Sequence, residues 1–372
     1  MSNMLDYVAW RGDLTFTQAP FCAIDNVVFT QLVHLRLEKL PGAKEDIALG
    51  EAIEALQRDA PQKGADSLES QRYALAQALL CSARYRDVQI RFFEHNLDPA
   101  SEKQFAAASF ALCDGTAFIA FRGTDATLVG WKEDFNMSFE SPVPSQTDAV
   151  SYLNRAAGRL PGFLRVGGHS KGGNLAIYAA AHCAPQVRVR LLKVYSDDGP
   201  GLDDATLSTV GYRALSSRIE SYIPESSVIG MLMGYHDHYT VVASSGMGIF
   251  QHNPFLWQVK GPQFVTRTDV NRSSRFTNST IHAWLNACTY EERRIFIDTL
   301  YQILRSTRAE TFGDLTHHWA ENAAVILAAM RQVDPGTRRI LAQVLTALAA
   351  AGAANIRLLV PDKGKPPEQN DH

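Results

Sequence analysis

The stretch Phe163-Leu164-Arg165-Val166-Gly167-Gly168-His169-Ser170-Lys171-Gly172-Gly173-Asn174-Leu175-Ala176-Ile177-Tyr178-Ala179-Ala180 decides the fold. An apolar segment, Phe163 to Val166, leads into a run of glycines, and an Ala-rich segment, Asn174 to Ala180, leads out of it. That is the pattern of a strand, a sharp turn and a helix. Crowding at such a turn demands small residues on either side and pushes the central side chain to the top of the sheet. Gly168 and Gly172 meet the demand, and Ser170 between them is the candidate nucleophile. A bare G-x-S-x-G match is weak, and a glycine-rich loop is the plainer reading; the strand before it and the helix after it favour the turn.

Upstream, Gln104 to Ala111 and Thr116 to Phe121 read as two strands joined by a Cys113-Asp114-Gly115 turn, with a further strand at Val88–Phe93 before them. Before that strand the apolar spacing is helical, from about Ile24 to Leu37 and again around Ile53–Leu56 and Tyr73–Leu79, so the first strand is expected late. A helix is expected near Asp148–Arg159. Downstream, strands at Val189–Tyr195 and Arg218–Ile223 complete an alternating βαβ rhythm, which argues for a mainly parallel sheet with helices on its faces. From about Asn271 onward strand signals cease and apolar residues recur at helical spacing, for example Ile281, Trp284, Leu285 and Ile295. The chain thus divides into an α/β domain over 1–270 with a helical N-terminal segment, an all-helical C-terminal region over 271–360, and a polar tail, 361–372, expected to be disordered.

Composition narrows the function. A chain of 372 residues with 46% hydrophobic and 20% charged residues can bury a sizeable core. A net charge of -3 gives no bulk attraction to nucleic acid or to an anionic membrane. The five cysteines are scattered and form no C-x-x-C pair, so neither a disulfide framework nor a zinc site is indicated and a reducing, cytoplasmic setting is expected. The N-terminus carries Asp6, Arg11 and Asp13 where a secretory signal needs an apolar core. The Ala-rich tract Ile340–Ile356 is shorter than the about 20 apolar residues of a spanning helix, so no transmembrane segment is expected.

Phe121-Arg122-Gly123-Thr124-Asp125 follows a strand upstream of the serine, where half of an oxyanion hole is expected, although an ordinary turn would read the same way. This segment, Trp131 and Asp134 after it, and GGHSKGGNLA at 167–176 together resemble the class 3 (fungal-type) lipases. Including LDYVAWRGDLTF, DDGPG and QHNPFLW, residues 1–265 are similar to a bacterial family of lipase-like, cytoplasmic α/β-hydrolases. The resemblance implies an α/β-hydrolase fold and oxyanion donors from Thr124 and from the backbone of Lys171. Lys171 stands where leucine is usual; a solvent-pointing side chain is the plainer reading, and a cation beside the oxyanion would favour acidic substrates.

The base must be a histidine after the serine, and His236, His238, His252, His282, His317 and His318 are available. His252 is preferred because Gln251-His252-Asn253-Pro254-Phe255-Leu256-Trp257 resembles the lipase segment bearing the catalytic histidine. His236 and His238 flank Asp237 as an H-x-H, more simply a solvated polar loop than a metal site. For the acid, Asp198 at the end of a strand leads, and its loop is similar to one holding the acid in pancreatic-type lipases. Glu225 lies roughly where class 3 lipases keep their aspartate and is the alternative. Asp197 as a surface turn residue, or Asp198 as a turn cap, is the structural alternative.

The chemistry so implied is acyl transfer by a serine hydrolase on an ester or lipid substrate, with no cofactor or metal. A thioesterase would use the same residues, and a non-catalytic binding protein could be built on the same scaffold. The run 126–131 is open to two readings, a lid over an acyl pocket or a helix anchored in the core. The helical tail is open to a role in homo-oligomerisation or as a cap on the sheet.

Overall fold

In a computed structural model the described residues are 2–40, 46–59, 68–125, 127–230, 239–309 and 319–359. Helices α1 (Met4–Arg11) and α2 (Ala23–Leu32) are followed by β1 (Ile47–Ala48), α3 (Leu49–Leu56) and α4 (Leu68–Leu80). Next come β2 (Gln89–Asp98), β3 (Lys103–Ala111), β4 (Ala117–Phe121), α5 (Leu128–Asn136), α6 (Pro144–Arg159), β5 (Leu164–His169) and α7 (Lys171–His182). After a short α8 (Pro185–Arg188) and β6 (Leu191–Asp197), the one-turn helices α9 (Asp204–Leu207) and α10 (Val210–Arg213) lead to β7 (Ile219–Pro224) and β8 (Thr240–Val242). The short strands β9 (Val259–Lys260), β10 (Gln263–Phe264) and β11 (Thr266–Arg267) precede α11 (Arg272–Ala287) and α12 (Tyr290–Arg305). Two further helices, Trp319–Gln332 and Pro335–Asn355, follow.

Among the described residues a nine-stranded sheet has the order β1-β2-β3-β4-β5-β6-β7-β8-β11. The chain is therefore of the α/β class. The sheet is parallel from β4 to β8 and antiparallel at both edges, more mixed than the βαβ rhythm suggests. The first strand also comes earlier than expected, because the two residues of β1 pair with β2 and two residues carry no periodicity to read.

Alternation along β4 builds two cores. Phe118 and Ala120 join a cluster with Ile24, Val27 and Phe29 of α2, whereas Ala117, Ile119 and Phe121 join one with Leu153 of α6 and Leu175 of α7. Each face of the sheet thus carries its own helical layer, as a sheet buried on both sides requires. Helix α2 stops at Leu32 rather than Leu37. The Arg122 guanidinium takes the carbonyls of Val33 (2.8 Å) and Leu35 (3.0 Å), which a continuing helix would have kept for itself.

The layer around α2 also holds charge. Arg84 and Asp25, both fully buried, are bonded through Nε (2.8 Å) and Nη2 (2.7 Å) of the arginine. Tyr7 and Tyr85 donate their hydroxyls to the same carboxylate. The remaining guanidinium protons go to the carbonyls of Leu14, Thr15, Ala19 and Pro20.

Helix α11 begins one residue after its cap, Asn271, whose side chain accepts from the Ser274 amide. The helical region meets the sheet domain at α5: Asp298 of α12 accepts from Lys132 at 2.8 Å, and the Lys132 ammonium lies 4.8 Å from the centre of the Tyr301 ring. No helix among the described residues is long and apolar enough to cross a membrane. The expected disordered tail at 361–372 lies outside the described residues.

Candidate active site

β5 delivers the chain to Ser170, which takes φ 58° and ψ -133° before α7 begins at Lys171. A positive φ at a non-glycine residue costs on the order of 1–3 kcal/mol and persists only where the surroundings enforce it. Here they do: the Ser170 amide is bonded to the carbonyl of Asp197 (2.9 Å), and its own carbonyl accepts from Gly173 (2.9 Å). A Cβ on Gly168 would lie 2.1 Å from Gly172, and one on Gly172 would lie 2.2 Å from the Phe121 carbonyl oxygen. Both flanking glycines are therefore required by contact, as the crowded-turn argument demands.

Asp198 follows β6 and is fully buried. One carboxylate oxygen lies 2.6 Å from Nδ1 of His252; the other accepts from the Ser227 hydroxyl (2.5 Å) and the Gly230 amide (3.1 Å). A carboxylate in this position fixes the proton on Nδ1 and leaves Nε2 as the acceptor. Glu225 is engaged elsewhere, accepting from Arg267 Nε at 2.8 Å. Of the two acids open in the sequence, Asp198 is the one brought to His252.

The segment around His252 is held from several sides. Gln251 accepts from the Ser226 amide (2.7 Å) and donates to the Gly246 carbonyl (3.0 Å), while the fully buried Trp257 donates to the Gln251 carbonyl (2.8 Å). His169, immediately before Ser170, donates from Nε2 to the His252 carbonyl at 2.8 Å, its ring centre 4.5 Å from that of His252. Burial, reinforced by the neighbouring His252, pushes the His169 pKa well below the ordinary range, so its ring is neutral. The sequence reading missed this residue. It lay inside the quoted motif, but its partner is distant along the chain.

Thr124 follows β4, and its hydroxyl donates to Asp134 of α5 at 2.5 Å. Burial pushes the Asp134 carboxyl up to about 6, against the opposing charge of Lys171 and the Thr124 bond. The reading of Lys171 as a solvent-pointing side chain is overturned: it is 1% exposed, and its ammonium is paired with Glu133 at 2.9 Å. Its charge is thus not free to recruit an acidic substrate. In the run 126–131, Leu128 and Gly130 are buried and Val129 and Trp131 half-buried on α5, whose later residues Lys132, Glu133 and Asn136 are buried too; Ala126 lies outside the described residues. His282 lies on α11; His236, Asp237, His238, His317 and His318 fall outside the described residues.

Asp197 is not a surface turn residue either. Wholly buried, it accepts two bonds from Asn26 Nδ2 (2.8 and 2.9 Å) and one from Thr30 (3.1 Å). Burial outweighs those bonds and pushes its carboxyl up to about 7. Between about pH 4 and pH 7 the folded protein therefore holds a proton that the unfolded chain has released. The resulting stabilisation is full below about pH 4 and is lost as pH rises through 7, a change of up to about 4 kcal/mol. Asp197→Asn is expected to remove that slope. Asn26 Oδ1 has no bond among the described residues and is available to accept from the new amide. Thermal unfolding at pH 5 and pH 8 checks this: the variant should exceed wild type at pH 8, with the gap narrowing at pH 5.

A family model described as Mbeg1-like matches residues 79–302, which include Thr124, Ser170, Asp198 and His252. A search of the curated proteins finds no match.

Proposed function

Because the chain belongs to the Mbeg1-like family and carries a bonded histidine–aspartate pair beside a serine turn, we propose that it is a lipase-like serine hydrolase of the α/β-hydrolase fold that cleaves carboxylic esters. The observation that carries this reading is the 2.6 Å bond from His252 Nδ1 to the buried Asp198, with the His252 carbonyl bonded to His169, the residue before a Ser170 held at positive φ between a strand and a helix.

In the proposed reaction Nε2 of His252 takes the Ser170 proton as the hydroxyl oxygen attacks the ester carbonyl. The amides of Thr124 and Lys171 hold the resulting oxyanion. His252 then passes its proton to the leaving alcohol, and an acyl-serine remains. Water, deprotonated by the same histidine, releases the acid and restores the serine. Asp198 stabilises the imidazolium that forms in each half-reaction.

The test is labelling of the purified protein with a fluorophosphonate probe, together with hydrolysis of p-nitrophenyl esters of graded chain length and of an acyl thioester. Labelling with turnover of the esters is the expected result. Turnover of the thioester alone would reassign the substrate. A folded sample that neither labels nor turns over any of them would overturn the reading in favour of a binding protein on this scaffold.

His169 supplies a further check. Removing its bond to the His252 carbonyl should cost the base its placement by about one hydrogen bond, roughly a tenfold loss of kcat. His169→Ala is expected to show that loss with KM little changed, measured on the ester that wild type turns over fastest.

A further inference from the structure

The side chain of Lys171 runs away from the site that its backbone serves. Its ammonium meets three acceptors, the Gln104 carbonyl (2.8 Å), Gln104 Oε1 (2.7 Å) and Glu133 Oε2 (2.9 Å), and so uses all three of its protons. Glu133, 0% exposed, also accepts from the Gln104 amide (3.0 Å) and the Ser145 amide (2.9 Å). The next residue on α5, Asp134, accepts from Thr124. Helix α5 thus grips the residue after the serine with one side chain and the end of the β4 segment with the next.

We propose that the Lys171–Glu133 ion pair is the positioning strut of the oxyanion pocket, setting the amide of Lys171 against that of Thr124 so that both aim at one oxygen. The inference rests on the hydrolase reading and adds a role for the two buried ions. An ion pair cut off from water adds little stability, since desolvation consumes most of its attraction, and an apolar pair of similar volume often packs as well. What an apolar pair lacks is direction. Three fixed acceptors around an ammonium allow one placement of the Lys171 stem, hence of the first turn of α7, relative to α5. Because the pair is neutral as a whole, it acts through geometry rather than through a net field at the oxyanion. Both ions are positioning residues and neither side chain touches substrate.

The decisive variant is the double replacement Lys171→Met with Glu133→Leu, which removes both charges, keeps similar volume and retains the Lys171-position amide. Glu133→Gln alone is the companion variant, preserving shape but stranding the ammonium. The double variant also removes the acceptor of the Gln104 and Ser145 amides, so it is expected to unfold earlier than wild type on heating, and its kcat is measured well below that transition. Its kcat is expected to fall about 10²-fold with KM changed by less than about threefold, the loss typical of one misplaced oxyanion donor. A purely structural role predicts that activity follows stability, so a folded double variant with wild-type kcat overturns the proposal. Hydrogen exchange over peptides covering 122–125 and 170–173 supplies a readout that needs no turnover. Faster exchange in both segments of Glu133→Gln and of the double variant is expected, and unchanged protection overturns the strut. If wild type neither labels nor turns over any ester or thioester, the hydrolase reading fails by itself, and the exchange data still judge whether the pair orders these two segments.

Discussion

Replacing Ser170 by alanine is expected to abolish fluorophosphonate labelling and to lower kcat by about 10⁶-fold, with thermal unfolding unchanged. The large figure follows from the proposed mechanism, in which the serine oxygen forms the covalent bond and nothing else in the site can replace it. His252→Ala is expected to cost nearly as much, because members of such a unit act together. Asp198→Asn discriminates more sharply. The amide would turn an N–H toward Nδ1 and favour the wrong tautomer of His252 while leaving the ring in place, for a loss of about 10⁴-fold in kcat. Glu225→Gln, at a residue paired with a half-exposed Arg267, is expected to change kcat by less than about twofold. If the two acid variants exchanged these outcomes, the assignment of Asp198 would fall while that of Ser170 stood.

The largest expected loss of stability lies at Arg84. Its guanidinium holds Asp25 by two bonds and four carbonyls besides, with no exposure of either charged side chain. Arg84→Met leaves the Asp25 carboxylate buried without its cation, at a cost of about 3–5 kcal/mol. Denaturant unfolding followed by tryptophan fluorescence should show the midpoint falling accordingly. Adding Asp25→Leu to that variant is expected to recover part of the loss, since the uncompensated charge is then gone. A double variant no more stable than the single one would instead assign the effect to the carbonyls of the 14–20 loop.

The parts legible in the sequence were those encoded locally. The strand–turn–helix around Ser170 could be read because two glycines, an apolar run and an Ala-rich run all fall within one short segment. The β3–β4 hairpin could be read because its turn lies between two runs rich in aromatic and small apolar residues. The last two strands on one side of the sheet, β8 and β11, by contrast, are two or three residues long and exist through pairing, which leaves no pattern in either segment alone. The same limit applied in the site. Two carboxylates were open as partners for His252 because the sequence does not say which loop the histidine faces, and the fold brings Asp198 to it. Lys171 was misread because an isolated lysine is ordinarily solvated. Its partners, Gln104 and Glu133, lie on other elements and carry no local mark of the pairing.

The buried polar residues of α2 bear on what the family resemblance covers. The matched stretch begins at residue 79, so it includes Arg84 and Asp197 but none of Asp25, Asn26 and Thr30, which satisfy them. The matched stretch therefore does not contain every partner of its own buried charges. A polypeptide trimmed to the matched stretch would fold an arginine inward with no carboxylate to receive it, and would leave the carboxylate next to Asp198 without its donors. The buried charges of the matched stretch thus depend on three side chains supplied from upstream of it, by α2.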